Sequence, residues 1–450
     1  MAAILFNKRY ILLSALSIIG VLVITFYSFN YWLALLLTLG VAFCIPFFIS
    51  ALKYPEFIVF LSILLNFTPL NRNTGFYFIL LLAIIHFSKN ILIGRPLFKI
   101  DKILTIWFSF MVMILITFVK WVNIYRGLRG SLSMIIIPML LYILFNHGYI
   151  SKKGTEKFLT TYFPLVYTYI IIQLLLTVIK GTAISGYSFQ EFHTGFDLGW
   201  GKSVFVAALT MFLLMLTYQT RNYWHNRFII KSLIYFNFIV SIVVIILIMA
   251  RAPFVSLFAT LMIYYLYNKL FRKTYKKINY LNLLYGILLI IPLYYVFNKF
   301  IYYLATRFIH MKTDPSFLVR VYMYYDGFIA YINNIIIGVG PEQHMFKDFL
   351  NYVADPNNIL ISYAVSFGSV GLLLIIALFL MPYITMARLY KVGDNKKIKY
   401  LGAMLIPVLT MAIFNSLFEV IITSFCYGTM FWTVYAIFYR LHDVKLDILS

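Results

Sequence analysis

The side chains able to do chemistry in this sequence are few, and they are clustered. Glu342, His344, Asp326 and Asp355 can each take a proton from a hydroxyl group, the task of a general base. They surround Gly338-Val339-Gly340-Pro341, a turn in which the glycines permit close backbone approach. Arg251 stands apart, between Met249-Ala250 and Ala252-Pro253 in an otherwise apolar hairpin. An arginine at mid-membrane costs about 2.5–3.5 kcal/mol, and less near a span end, so its presence there suggests a function. Binding a multiply charged anion is the chemistry that suits a guanidinium in such a place. The competing reading is an arginine that snorkels to headgroups.

Composition says what kind of element must position these groups. With 63% hydrophobic and 11% charged residues and a mean hydropathy of +0.91, the 450 residues cannot present a water-soluble surface. Lipid requires every backbone amide to be bonded internally, and apolar runs such as Ser232 to Ala250 and Tyr280 to Asn298 have the length of helices. The expectation is an all-α, polytopic membrane protein forming one transmembrane domain over residues 1–450. Fourteen spans are predicted, beginning near Tyr10, Tyr31, Phe57, Phe76, Ile103, Leu132, Phe158, Ser203, Ser232, Phe254, Tyr280, Ile359, Leu401 and Ile421. Lys8 and Arg9 precede an apolar run with no small-residue cleavage pattern after Tyr27, so that run reads as a retained first helix. Cys44 and Cys426 both fall inside apolar runs, which excludes a disulfide framework and a cysteine metal cluster.

A net charge of +23 would suggest nucleic acid in a soluble domain, but here the basic residues fall in alternate short loops. That alternation orients the chain with both termini cytoplasmic. The external segments after the fourth span are then Val122 to Gly130, Lys180 to Lys202, the turn at Arg251 to Pro253, the dominant loop at residues 299–358, and a short turn before Ile421. Arg126 and Arg129 break the pattern by lying outside. Within the large loop, Phe317, Val321, Tyr324, Phe328 and Tyr331 recur at helical spacing, predicting an amphipathic surface helix over Ser316 to Tyr331 with Arg320 on a different part of its surface. Asp355 can cap the following span, where Pro356 suits the first turn. Gly368 and Gly371 are expected to give that span a smooth, thin surface.

An arginine-bearing helix, then Gly-Val-Gly-Pro, then Pro356-Asn357-Asn358, then Gly-X-X-Gly inside a span, resembles the O-antigen polymerase and O-antigen ligase family, the Wzy-type proteins. The likeness is best over Arg251 to Gly371. It implies a metal-independent membrane glycosyltransferase, without a cofactor, in a bacterial inner membrane. The implied substrates are undecaprenyl-pyrophosphate-linked oligosaccharides drawn from membrane lipid, with a chain-length regulator as a further partner and no nucleic acid. By that likeness Arg320 is a second pyrophosphate ligand beside Arg251, and Arg307 and Lys299 could steer the same anion. Glu342, His344 and Asp326 are the candidates for the base, and Gly340 with Asn357 would orient substrate. The ligase pattern would have histidine where Asn357 stands, and an amide cannot take a proton at neutral pH. That departure favours a polymerase over a ligase. A lipid-linked oligosaccharide flippase would instead show paired halves and mid-membrane charges.

Overall fold

The computed structural model describes residues 52–66, 74–172, 203–220, 251–267, 315–342, 356, 358–392, 396–418 and 422–443, with short helical stretches at 232 and 234–241. The spans expected from Tyr10, Tyr31 and Tyr280 lie outside the described residues, as do Lys299, Arg307, His344, Asp355 and Asn357. Every regular element among the described residues is helical. In chain order these are α1 (Pro55–Asn66), α2 (Thr74–Leu92), α3 (Lys102–Phe118), α4 (Ile124–Ser131) and α5 (Ile137–Asn146). They continue with α6 (Lys152–Lys157), α7 (Ser203–Thr220), α8 (Arg251–Tyr267), α9 (Pro315–Ile332), α10 (Ile359–Val392), α11 (Lys396–Ser416) and α12 (Phe425–Asp443).

Among the described residues, three stretches are long and apolar enough to cross a membrane: Gly75–Leu92, Ile124–Asn146 and Ile359–Arg388. The second is 78% buried and the first only 39%, which makes the former a central helix and the latter a peripheral one. Large apolar side chains such as Ile84, Leu115 and Phe258 are exposed on the outer helices, as a lipid-facing surface requires. Residues 122–130, expected as a loop, are mostly helix. Asn123 Oδ1 accepts the Arg126 amide at 3.0 Å and starts α4, which runs without interruption into the central span.

That central span holds a local defect with a clear cause. Pro138 has no amide hydrogen, so it cannot bond to the carbonyl of Met134 one turn earlier, and its ring would crowd that carbonyl. The chain responds with a π-helical turn over Leu132–Ile136, in which the Ile137 amide donates to Leu132 O. The carbonyl of Met134 then takes its hydrogen from outside the helix, from the hydroxyl of Tyr363 at 2.8 Å. Tyr363 is fully buried in α10, its ring against Phe110 of α3 and Phe367. One hydroxyl thereby locks the central helix to α10.

At the far end of α3, Asp101 caps the helix through Leu104 N (2.8 Å) and accepts the Tyr142 hydroxyl (2.7 Å). His147 sits beside it, 3.7 Å from the same carboxylate. Burial holds its imidazole below the usual range despite the nearby Asp101. Its Nδ1 accepts the Lys99 amide, which puts the proton on Nε2 of a neutral ring.

Tyr363→Phe leaves a buried carbonyl unmatched and should cost about 1–3 kcal/mol of stability. Pro138→Ala supplies an internal amide hydrogen for Met134 O, so the same Tyr363 change made in that background should cost much less. Thermal or denaturant unfolding of the four proteins in detergent measures the coupling; equal penalties in both backgrounds would show that the hydroxyl does not serve this carbonyl.

Candidate functional site

The turn after α9 is built into a break in α10. Gly368 has φ 67° and ψ −162°, so α10 is two helices joined at a kink rather than one smooth span. In an unbroken helix, the amides of Ser369 and Val370 would take the carbonyls of Val365 and Ser366. Here those two carbonyls accept from Val339 N (3.0 Å) and Gly340 N (2.8 Å), and Ser369 N donates to Ile335 O (2.7 Å). The turn thus supplies the backbone partners that the break removes. Ser369 Oγ also donates to Ile335 O at 2.8 Å, which makes the Tyr331 hydroxyl the donor to Ser369 Oγ at 2.7 Å.

Glycine is required where these backbones touch. A Cβ on Gly338 (φ +78°) would lie 2.5 Å from Ser366 O and Phe367 N, and one on Gly368 would lie 2.3 Å from Ile336 O. The expected close approach at the Gly338 to Pro341 turn is therefore real, and its partner is the protein's own helix. Beyond the kink, Ser369 to Val392 is about 36 Å long at 1.5 Å per residue, enough to cross the roughly 30 Å hydrocarbon core alone. The segment Ile359 to Phe367 precedes the break. Asn358 begins it, its Oδ1 accepting Leu360 N (2.9 Å) and Ile361 N (3.2 Å), while its Nδ2 donates to Leu417 O (3.0 Å). Asn358 thus fills the capping role expected of Asp355.

The structure places several of the expected site residues on this unit. Arg320, Tyr324, Gly327 and Tyr331 follow one another at i, i+4, i+7 and i+11 and so share a face of α9. This is the packed face: Gly327 is buried, the Tyr324 hydroxyl donates to Leu417 O (3.3 Å), and Tyr331 holds Ser369. Half-buried Arg320 therefore lies on the face turned to the rest of the protein, whereas Val321 and Phe328 of the apolar stripe are exposed. Asp326 is half-buried on another side of α9. Arg251 is the first residue of α8, which packs along α11.

Gly340 (φ +100°) gives its amide to Ser366, and Glu342 adopts a left-handed φ of 51°. A non-glycine residue held there carries about 1–2 kcal/mol of strain, and such strain concentrates at functional positions. The Glu342 side chain meets α4, where a Cβ on Gly130 would lie 3.0 Å from Glu342 Cγ and 2.8 Å from Pro341 Cβ. Lys120, in the turn between α3 and α4, completes the arrangement: its Nζ donates to Gly338 O (3.1 Å) and Asn334 Oδ1 (3.4 Å). Sequence reasoning missed Lys120 and Asn334. The signal available was Gly127 and Gly130, a spacing that marks a helix face closely approached by something else. Among the described residues no group of three or more His, Cys, Asp or Glu is placed to hold a metal ion.

The helices of the described residues, their apolar spans and their exposed apolar side chains are those of a helical membrane protein. Residues 236–376 match the family model described as O-antigen ligase, so the resemblance seen in the motifs is borne out. The matched segment contains α8, α9, the turn and the kink of α10. Comparison with curated proteins finds no match.

Gly338→Ala and Gly368→Ala each combine a strained φ with a backbone collision and should destabilise the protein by well over the 1–2 kcal/mol of strain alone. Gly94→Ala, also at positive φ (+69°) but with nothing within 4 Å of the added carbon, should cost only the strain. Unfolding midpoints in detergent rank the three; a Gly368→Ala protein as stable as Gly94→Ala would contradict the close contact.

Proposed function

We propose that this protein is a polysaccharide polymerase acting at the outer face of a bacterial inner membrane. It transfers a glycan from undecaprenyl pyrophosphate onto another lipid-linked repeat unit. In this reaction an acceptor hydroxyl oxygen attacks the anomeric carbon of the donor. The bond from that carbon to the pyrophosphate oxygen breaks, and undecaprenyl pyrophosphate leaves with the electron pair. The hydroxyl proton passes to a base. Arg251 and Arg320 are assigned to the pyrophosphate, where fixed positive charge stabilises the leaving group.

The observation that carries the reading is the match over residues 236–376, which encloses the whole unit of α9, turn and helix break. Glu342 leads His344 and Asp326 as the base, because its strained backbone holds the carboxylate-bearing chain directly after the turn and against α4. Lys299 and Arg307 are assigned to steering the anion, and Asn357 and Gly340 to orienting substrate. The second reading is a ligase that moves finished polymer to lipid A core, favoured by the description of the matched family. The amide at Asn357, in place of the histidine expected of a ligase, weighs toward the polymerase.

The two readings give opposite phenotypes. Without a polymerase, cells should still attach a single repeat unit to the acceptor; without a ligase, they should attach none and accumulate lipid-linked polymer. Gel analysis of the surface polysaccharide from a deletion strain separates them, and loss of every repeat would reject the polymerase reading.

Alanine at Arg251 or Arg320 should abolish polymer at normal protein abundance, with lysine rescuing only part because it lacks the planar fork. Full-length polymer from well-expressed Arg251→Ala and Arg320→Ala proteins would remove both residues from the site.

A further inference from the structure

The face of α4 beside the turn carries positive charge that the reaction scheme leaves unused. Gly130 is held against Pro341 and Glu342, and Gly127 against the ring of Trp121, so α4 and the turn before it are fixed to the site. Arg126 stands one turn before Gly130 on the same helix face, about 5–6 Å away between Cβ positions. Arg129 lies on the adjoining flank. Both are exposed, and Lys120 reaches the same turn through Gly338 O.

The neighbouring side chains say where these cations sit. Val119, Val122, Ile124, Tyr125 and Leu128 are all more than half exposed, an apolar border around three basic residues. Apolar side chains immersed in lipid, with basic side chains reaching up from among them, place the cations at the level of lipid phosphates. In the expected orientation this is the external side, where topology alone disfavours positive charge. The charge thus has a local purpose.

We infer that Arg126 and Arg129, seated beside Lys120, form a phosphate-binding lip on the site, taking the phosphate of a membrane-borne anion as it approaches the Gly338 to Glu342 turn. Two arginines in neighbouring positions present planar donor forks to phosphate oxygens. The phosphate has two sources, the pyrophosphate of the lipid-linked substrate or the headgroup of an anionic phospholipid. The first source rests on the polymerase-type reading above; the second does not. The lip lies outside the segment matched by the family model.

The test uses the full chain in nanodiscs, comparing wild type with the Arg126→Gln/Arg129→Gln double variant. In neutral phosphatidylcholine, inorganic pyrophosphate is titrated and its binding read from the unfolding midpoint. In mixed discs, the phosphatidylglycerol retained by the protein is quantified by mass spectrometry. Pyrophosphate binding weakened about tenfold or more in the double variant supports the substrate source. Unchanged pyrophosphate binding with loss of retained phosphatidylglycerol supports the headgroup source. Neither change, in a variant with the wild-type unfolding midpoint, overturns the inference. Arg126→Lys/Arg129→Lys, which keeps the charge, serves if the glutamine variant does not fold; there a reduction of a few-fold in either binding is expected, and wild-type values for both would overturn the inference. Neither readout needs glycan transfer, so the gel phenotype can reject the polymerase reading while the phosphate lip stands.

Discussion

A backbone amide or carbonyl buried without water must find a partner, and the candidate site depends on how that demand is met at Gly368. Breaking a helix within a membrane protein strands backbone groups, here the carbonyls of Val365 and Ser366 and the amide of Ser369 among them, each costing several kcal/mol if left unmatched in hydrocarbon. The stretch from Ile335 to Gly340 resolves all three at once, taking Val365 O and Ser366 O and offering Ile335 O to Ser369. The loop is consequently not an appendage on a finished bundle. Neither the kinked helix nor the turn is satisfied without the other.

The same logic recurs at Met134, whose carbonyl is orphaned by Pro138 and bonded by Tyr363. The two defects are neighbours, since Tyr363 precedes Gly368 by five residues on α10. Short helix Ile359 to Phe367 is therefore held from one side by the central helix and from the other by the turn. Regular spans could not produce such an irregular, well-bonded junction, because a regular helix uses all its amides internally. Defects create the exchangeable backbone bonds from which a precise loop can be hung.

Electrostatics follows from this frame. Lys120 closes on Gly338 O, Glu342 is pressed against Gly130, and α4 brings Arg126 and Arg129 to the same edge. Charges whose positions are set before a ligand arrives need no rearrangement when it binds.

The sequence by itself determined that the chain is helical and lives in lipid, because hydropathy is summed over many residues and lipid tolerates few backbone solutions. It also marked the turn at Gly338 to Pro341, since paired glycines announce a close approach whatever approaches. It did not reveal what that neighbour is. Gly368 read as a smoothing residue because a glycine in an apolar run looks the same whether its φ is helical or +67°. Residues 122–130 read as a loop because they are polar and lie between two apolar runs, and only contact with Trp121 and Pro341 explains why Gly127 and Gly130 are tolerated in a helix there. Periodicity did not say which apolar residues of α9 pack inward, because in a membrane apolar residues serve on both the packed and the lipid side, and Val321 and Phe328 are exposed while Tyr324 and Tyr331 bond to the protein. Tertiary structure alone decided that Lys120 bonds to Gly338 O and that Gly130 meets Pro341 and Glu342, more than two hundred residues away in the chain, because pairing of orphaned backbone groups and close contact at glycine are properties of two segments together.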